Sequence, residues 1–134
     1  MRAGQVLDDP VISLDILPTS LAAAGVEVFP IHDGANLLPW LKGREENPND
    51  TLYWSWRHLS AIRIGTLKET RSGADVLATD GTVVPRHIFA DLAVNPRELP
   101  SKELQSPEKR AMLSTKLYEW LESVRAERET LTPQ

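Results

Sequence analysis

Cysteine is absent from the 134 residues. That excludes disulfide bridges and thiolate metal sites, and by itself indicates no compartment. Positive charge is not in excess: 15 Lys and Arg stand against 19 Asp and Glu, a net charge of −4. No basic field therefore draws the chain to nucleic acid or anionic lipid, and no nucleic-acid partner is expected. No apolar run reaches the roughly 20 residues of a membrane-spanning helix, so no membrane partner is expected either. The opening MRAGQVLDDP does not read as a signal peptide. There is no internal repeat and no low-complexity segment.

What is present is an ordinary globular balance, 41% hydrophobic and 25% charged, with ten prolines and seven glycines that call for many turns. The length suits one domain or a large fragment of one.

The stretch Pro10–Gly43 carries two patterns in fixed order, SLDILPTSLAAAG (Ser13–Gly25) and DGANLLPWLKG (Asp33–Gly43). The first predicts a short helix over Leu17–Ala24. Asp15 stands at its start as a cap, Pro18 falls in the first turn where its missing N–H is harmless, and Gly25 supplies the stop. Leu17, Leu21 and Ala24 share a face, but the run is apolar nearly all round, so this helix wants cover on more than one side. Leu37, Leu38 and Leu41 mark a short helical piece in the second pattern. GREENPND (Gly43–Asp50) is a loop by composition.

The second half changes period. Leu52–His58 alternates in twos, and Ala61–Lys68 alternates again with Ile62 and Ile64 on one face, which predicts a hairpin turning at Leu59–Ser60. Trp54 or Trp56 is expected to be buried against a later helix. A short strand over Ala74–Ala78, a turn at Asp80-Gly81 and a last strand over Arg86–Leu92 follow, and Asn95-Pro96 breaks the chain. Ser106-Pro107 is a hydroxyl cap followed by proline at the first helical position. Leu113, Leu117, Trp120, Leu121 and Val124 then form one stripe of an amphipathic helix, expected over Pro107–Ala126 with a frayed tail. The fold class is α+β: a small antiparallel β-sheet (Leu52–Leu92) packed against a C-terminal α-helix, preceded by a short helix.

These blocks resemble the C-terminal part of the sulfatase family, of the alkaline-phosphatase-like superfamily. Ser13–Gly25 and Asp33–Gly43 are similar to two of its segments. TLYWSWRHLSAIRIGTLK (Thr51–Lys68) resembles its Leu-Tyr-Trp hairpin and Ala-x-Arg-x-Gly-x-x-Lys strand. FADLAVNPRELP (Phe89–Pro100) resembles its Leu-Tyr-Asp-Leu-x-x-Asp-Pro-x-Glu segment, with Phe89-Ala90 for Leu-Tyr and Asn95 for Asp. Order and spacing agree over Val11–Pro100. The resemblance implies that residues 1–50 are the tail end of a catalytic core, with the short helix belonging to its missing α/β part, and that residues 51–134 are the C-terminal subdomain. It implies a C-terminal fragment of an enzyme that hydrolyses sulfate esters when whole, by a formylglycine nucleophile and a divalent metal, usually Ca²⁺. The partner it implies is the missing N-terminal catalytic core. The Cys/Ser-x-Pro-x-Arg motif that yields formylglycine has no match in this chain, and neither do the family's metal ligands, so the fragment alone is expected to be inactive. The alternatives are a fragment of a related phosphate or phosphonate ester hydrolase, or a non-enzymatic interaction module.

No catalytic residue and no metal ligand is expected within the chain, nor any cofactor of its own. Asp8, Asp9, Asp15 and Asp33 lack the compact spacing of a Ca²⁺ loop. His32, His58 and His87 have neither cysteine partners nor an i, i+4 pairing, so they make no zinc site. His58, near the hairpin tip beside Trp56 and Arg57, is the one substrate-binding candidate, at the rim of a cleft where aromatic and cationic groups suit sugars or anionic esters. The alternative for His58 is a surface histidine near a turn. Lys68 and Arg63 are expected to face solvent or to form salt bridges. Leu14, Ile16, Leu17, Leu21 and Val26 are expected to lack partners in the isolated chain, which would then self-associate.

Overall fold

The structure, a computed structural model, describes residues 3–77, 83–99 and 102–131. The chain divides into two compact units, Met1–Leu52 and Tyr53–Gln134.

In the first unit a 3₁₀ turn, Ser13–Asp15, runs into helix α1, Ile16–Ala23. Gly25 has a left-handed φ of 73°. Its N–H donates to the Ala22 carbonyl at 3.2 Å and the Val26 N–H to the Leu21 carbonyl at 2.9 Å, the two bonds that close a helix over a glycine. Asp15 does not cap α1: its side chain makes no bond to that helix's N-terminus. Instead Oδ2 accepts the Ile12 N–H at 3.0 Å, so the carboxylate reaches back and fastens the 3₁₀ turn. The helical path begins at Ser13, four residues before the expected start at Leu17, and the cap moves with it. Helix α2, Leu38–Leu41, carries proline in its first turn. The expected shared face of α1 is not covered: Pro18 is buried and Leu21 half-buried, but Ile16 is 67% and Leu17 54% exposed.

The second unit is built on a four-stranded antiparallel sheet. Its strands are β1 (Thr51–Trp56), β2 (Leu59–Ile64), β3 (Leu67–Arg71) and β6 (His87–Asp91), in spatial order β1-β2-β3-β6. A two-residue ladder, β4 (Val76–Leu77) with β5 (Val83–Val84), forms a separate ribbon. The Asp80-Gly81 turn expected there lies outside the described residues. Helix α3, Pro107–Leu131, closes the fold. Its start matches expectation: Ser106 Oγ accepts the Lys109 N–H at 3.4 Å. It runs past Ala126 to Leu131, because Glu, Arg and Ala in its last turns are good helix formers that need no buried face.

The register places Ile62, Glu69 and Phe89 in one row across β2, β3 and β6. Ile62 and Phe89 pack with Leu113 and Leu117 of α3 as the core, flanked by Tyr53, Ile64, Leu67, Leu104, Trp120 and Leu121. The stripe read from the sequence is therefore the core face of α3 from Leu113 to Leu121, whereas Val124 is exposed. Two strand expectations are corrected. The first hairpin turns at Arg57-His58 rather than Leu59–Ser60, and Ala61–Lys68 is two strands joined by a second tight turn at Gly65-Thr66. Gly65, with φ 55°, permits that turn. Neither Trp54 nor Trp56 is buried against α3. Tyr53 occupies that position, its ring stacked on Trp120 with centroids 4.9 Å apart. Alternation along β1 then puts Leu52, Trp54 and Trp56 on the opposite face of the sheet.

Candidate functional site

Within each unit, the segments that carry the sequence patterns are tied to one another by residues of those patterns. In the first unit both carboxylate oxygens of buried Asp15 are engaged: beyond Ile12, Oδ1 accepts the Ala35 N–H at 2.8 Å and Oδ2 accepts from Asn49 Nδ2 at 2.7 Å. Thr19 Oγ1 accepts the Leu37 N–H at 2.9 Å. Gly34 lies against the backbone of Leu14 so closely that a Cβ would fall on the Leu14 carbonyl. SLDILPTSL and DGANLL thus form one clasp. In the second unit Lys68, from the Ala-x-Arg-x-Gly-x-x-Lys strand, pairs with Glu98, from the Asn-Pro-x-Glu segment, at 2.7 Å. Glu98 also accepts the Thr70 hydroxyl at 3.3 Å. Arg63, from the same strand, donates through Nε to the Gly65 carbonyl at 2.8 Å. Asn95 is buried; its amide donates to the carbonyls of Leu99 and Lys102 at 3.0 and 3.2 Å and accepts the Leu99 N–H at 2.9 Å. An amide is needed there, since a carboxylate has no N–H to offer two carbonyls.

Beneath α3 sits a polar cluster with no signal in the sequence. Glu69 is fully buried. Oε1 accepts from Arg71 Nη2 at 2.9 Å and Nε at 3.2 Å, and lies 3.3 Å from His87 Nδ1. Oε2 accepts the Ser114 hydroxyl of α3 at 2.9 Å. β3, β6 and α3 are thereby fastened to one carboxylate. Ser114 donates to glutamate rather than to histidine, so this is not a nucleophile–base arrangement.

The hairpin tip carries the candidate named from the sequence. His58 is exposed in the turn between β1 and β2, with its side chain beside Gly73, where a Cβ would stand 3.4 Å from its own. Arg57, the other turn residue, has φ 55°. A left-handed conformation costs a non-glycine residue roughly 1–2 kcal/mol. Its guanidinium stacks over the Trp56 ring, 5.0 Å from the centroid. Trp56 is 63% and Trp54 37% exposed. Neither Arg57 nor His58 joins an ion pair among the described residues. Arg57 gave no signal because the position normally favours glycine or asparagine.

The aspartates do not fit a calcium site. Both oxygens of Asp15 face N–H donors, the reverse of what a cation needs, and Asp8, Asp9 and Asp33 are exposed. Among the described residues no three His, Asp or Glu side chains stand together to hold a metal, and no helix is long and apolar enough to cross a membrane.

Compared with models of known protein families, the chain matches none. No curated protein matches it.

Proposed function

We propose that this chain is the C-terminal portion of a sulfatase-like enzyme, a hydrolase of sulfate esters when joined to its catalytic core. The observation that carries the reading is the agreement between motif and contact. The residues that make the four blocks resemble sulfatase segments are those that bind the blocks together: Asp15 and Gly34 in the first pair, Lys68 and Glu98 in the second. The antiparallel sheet under a C-terminal helix supports the same reading. So do the exposed apolar residues at Leu14, Ile16, Leu17 and Val26, which suit a surface that packs on a catalytic core.

On this reading the nucleophile and metal belong to the upstream core. Formylglycine and Ca²⁺ supply the attack on sulfur and the charge stabilisation there, and this chain contributes no step to either. Its part is to complete the fold and to present the hairpin tip, with His58, at the rim of the cleft. The test is the genomic sequence upstream of Met1. An in-frame core with Cys/Ser-x-Pro-x-Arg is the expected result. A threonine or serine nucleophile in another context would transfer the reading to a phosphate or phosphonate ester hydrolase. An intact catalytic chain encoded separately would make this a detached interaction module.

A further inference from the structure

Helix α3 crosses the sheet strand by strand. The Arg110 guanidinium lies over the Phe89 ring of β6, 4.5 Å from its centroid. One turn on, the Ser114 hydroxyl reaches Glu69 of β3 at 2.9 Å. Leu117 packs with Ile62 of β2, and Trp120 stacks on Tyr53 of β1. Those turns spend about 15 Å of helix on strand spacings of about 4.8 Å each. β1 is the edge of the sheet, yet α3 runs on to Leu131, roughly another 15 Å. The helical layer therefore overhangs the sheet by the width of at least one strand. Every residue from Glu122 to Thr130 is exposed.

A groove of about 370 Å³ lies along that overhang. Ser55 of β1 lines it from the sheet, and Tyr118, Leu121, Val124, Arg125 and Arg128 of α3 line it from the helix, together with Glu122. Tyr118 is 58% and Val124 37% exposed. Ser55 shares the α3 face of β1 with Tyr53, while Trp54 and Trp56 stand exposed on the other face. An edge strand presents backbone N–H and C=O groups to a further strand, and proteins that avoid this place proline, lysine or a bulge there. Thr51–Trp56, TLYWSW, has no proline and no charged residue. Arg125 and Arg128 outnumber Glu122 in the groove, and Arg57 follows β1 in the chain, so the edge favours an acidic occupant. The matching strand of a second copy carries no carboxylate to meet Arg125.

We propose that β1 and the overhang of α3 receive an extended acidic peptide of another protein as a fifth strand. Its backbone pairs with the edge of β1. On one face an aliphatic side chain enters the groove beside Leu121 and Val124, with a carboxylate two residues along at Arg125. On the other face β-branched side chains stand beside Trp54 and Trp56. Main-chain bonds supply the affinity and the groove the selectivity. Every side chain involved lies in the second unit, so the proposal is independent of the sulfatase reading.

The test is a titration of the 134-residue chain with the capped peptide Thr-Val-Leu-Thr-Glu-Val-Thr, followed by amide exchange and by the indole N–H signals of Trp54 and Trp56. One control peptide has lysine for the glutamate, and another has proline for the central threonine. Slower exchange within Trp54–Trp56 and saturable shifts of both indoles are expected with the first peptide, weaker effects with the lysine peptide, and none with the proline peptide. Arg125→Glu changes a side chain that is 70% exposed, so the fold is kept. It should weaken the glutamate peptide about fivefold, the upper scale of a surface ion pair, and strengthen the lysine peptide. Absence of binding, equal binding of the glutamate and lysine peptides, binding of the proline peptide, shifts without protection of β1, or parent-like binding by Arg125→Glu would each overturn the proposal. So would protection of β1 that grows with protein concentration in the absence of peptide, which would assign the edge to a second copy.

Discussion

Glu69→Ala is the sharpest perturbation of the second unit. The carboxylate is fully buried and receives Arg71, Ser114 and the His87 ring. Removing it leaves a hydroxyl without its acceptor under α3 and a guanidinium facing a void. Breaking a buried pair by deleting one partner costs about 3–5 kcal/mol. Arg71 and His87 keep part of their side chains in water, 23% and 37%, and can rehydrate, so the lower end applies: about 3 kcal/mol. Against a total stability of ~5–15 kcal/mol, that is a large shift in the urea midpoint with little change in slope. Glu69→Gln keeps the volume and one acceptor but turns an N–H toward donors, and should cost about half as much. Ser114→Ala removes one neutral donor and should cost about 1–2 kcal/mol, charge-assisted as the bond is. An alanine variant within about 1 kcal/mol of the parent in urea unfolding would show that the cluster does not fasten α3 to the sheet, and the reasoning from burial would fail.

Further outcomes follow from the same contacts. Trp120→Ala should cost about 2–3 kcal/mol in thermal or urea unfolding, below the full core range because the ring is only half-buried; an unchanged midpoint would mean that the Tyr53 stack and the α3 stripe contribute nothing. Gly34→Ala should destabilise the first unit more than Gly43→Ala, since only the former drives a Cβ into the Leu14 backbone; equal proteolytic resistance around α1 in the two variants would contradict the clasp. The Glu108 carboxyl is held below the ordinary glutamate value by its own backbone N–H and then by the Ser106 hydroxyl. A lowered folded value means that its contribution to the start of α3 is present above the unfolded value and lost as pH falls through the folded one. Carboxyl NMR titration should find that lowered value, and Ser106→Ala should raise it. The isolated chain should self-associate through its exposed leucines and isoleucines; a strictly monomeric species in sedimentation at high concentration would refute this.

Much of the architecture was legible because it rests on period and punctuation. The 3.6-residue stripe from Leu113 found the core face of α3, and Ser106-Pro107 found its start. Turn position was less legible. Arg57 stands where a two-residue hairpin ordinarily places glycine or asparagine, so the sequence pattern puts the first turn two residues late. Gly65 falls inside the expected strand Ala61–Lys68, but its left-handed φ marks the next turn. Strand face followed the largest residues, Trp54 and Trp56, but Tyr53 meets α3, because alternation says which residues share a face and not which face is covered. Glu69 escaped notice for a related reason. It lies just past the expected strand Ala61–Lys68, and only the register that aligns Ile62, Glu69 and Phe89 places it under the helix. Asp15 has the position of a cap, but its partners Ala35 and Asn49 are distant in sequence and no local pattern names them.

The sulfatase proposal is tested most directly by sulfate release from 4-nitrocatechol sulfate, with Ca²⁺, by this chain together with whatever its reading frame encodes upstream. On the proposed reading, turnover vanishes when the cysteine or serine of an upstream Cys/Ser-x-Pro-x-Arg is replaced by alanine, and the 134-residue chain alone gives none. Hydrolysis of 4-nitrophenyl phosphate with no sulfate release, or sulfate release by the isolated chain that a substitution within it abolishes, would contradict it.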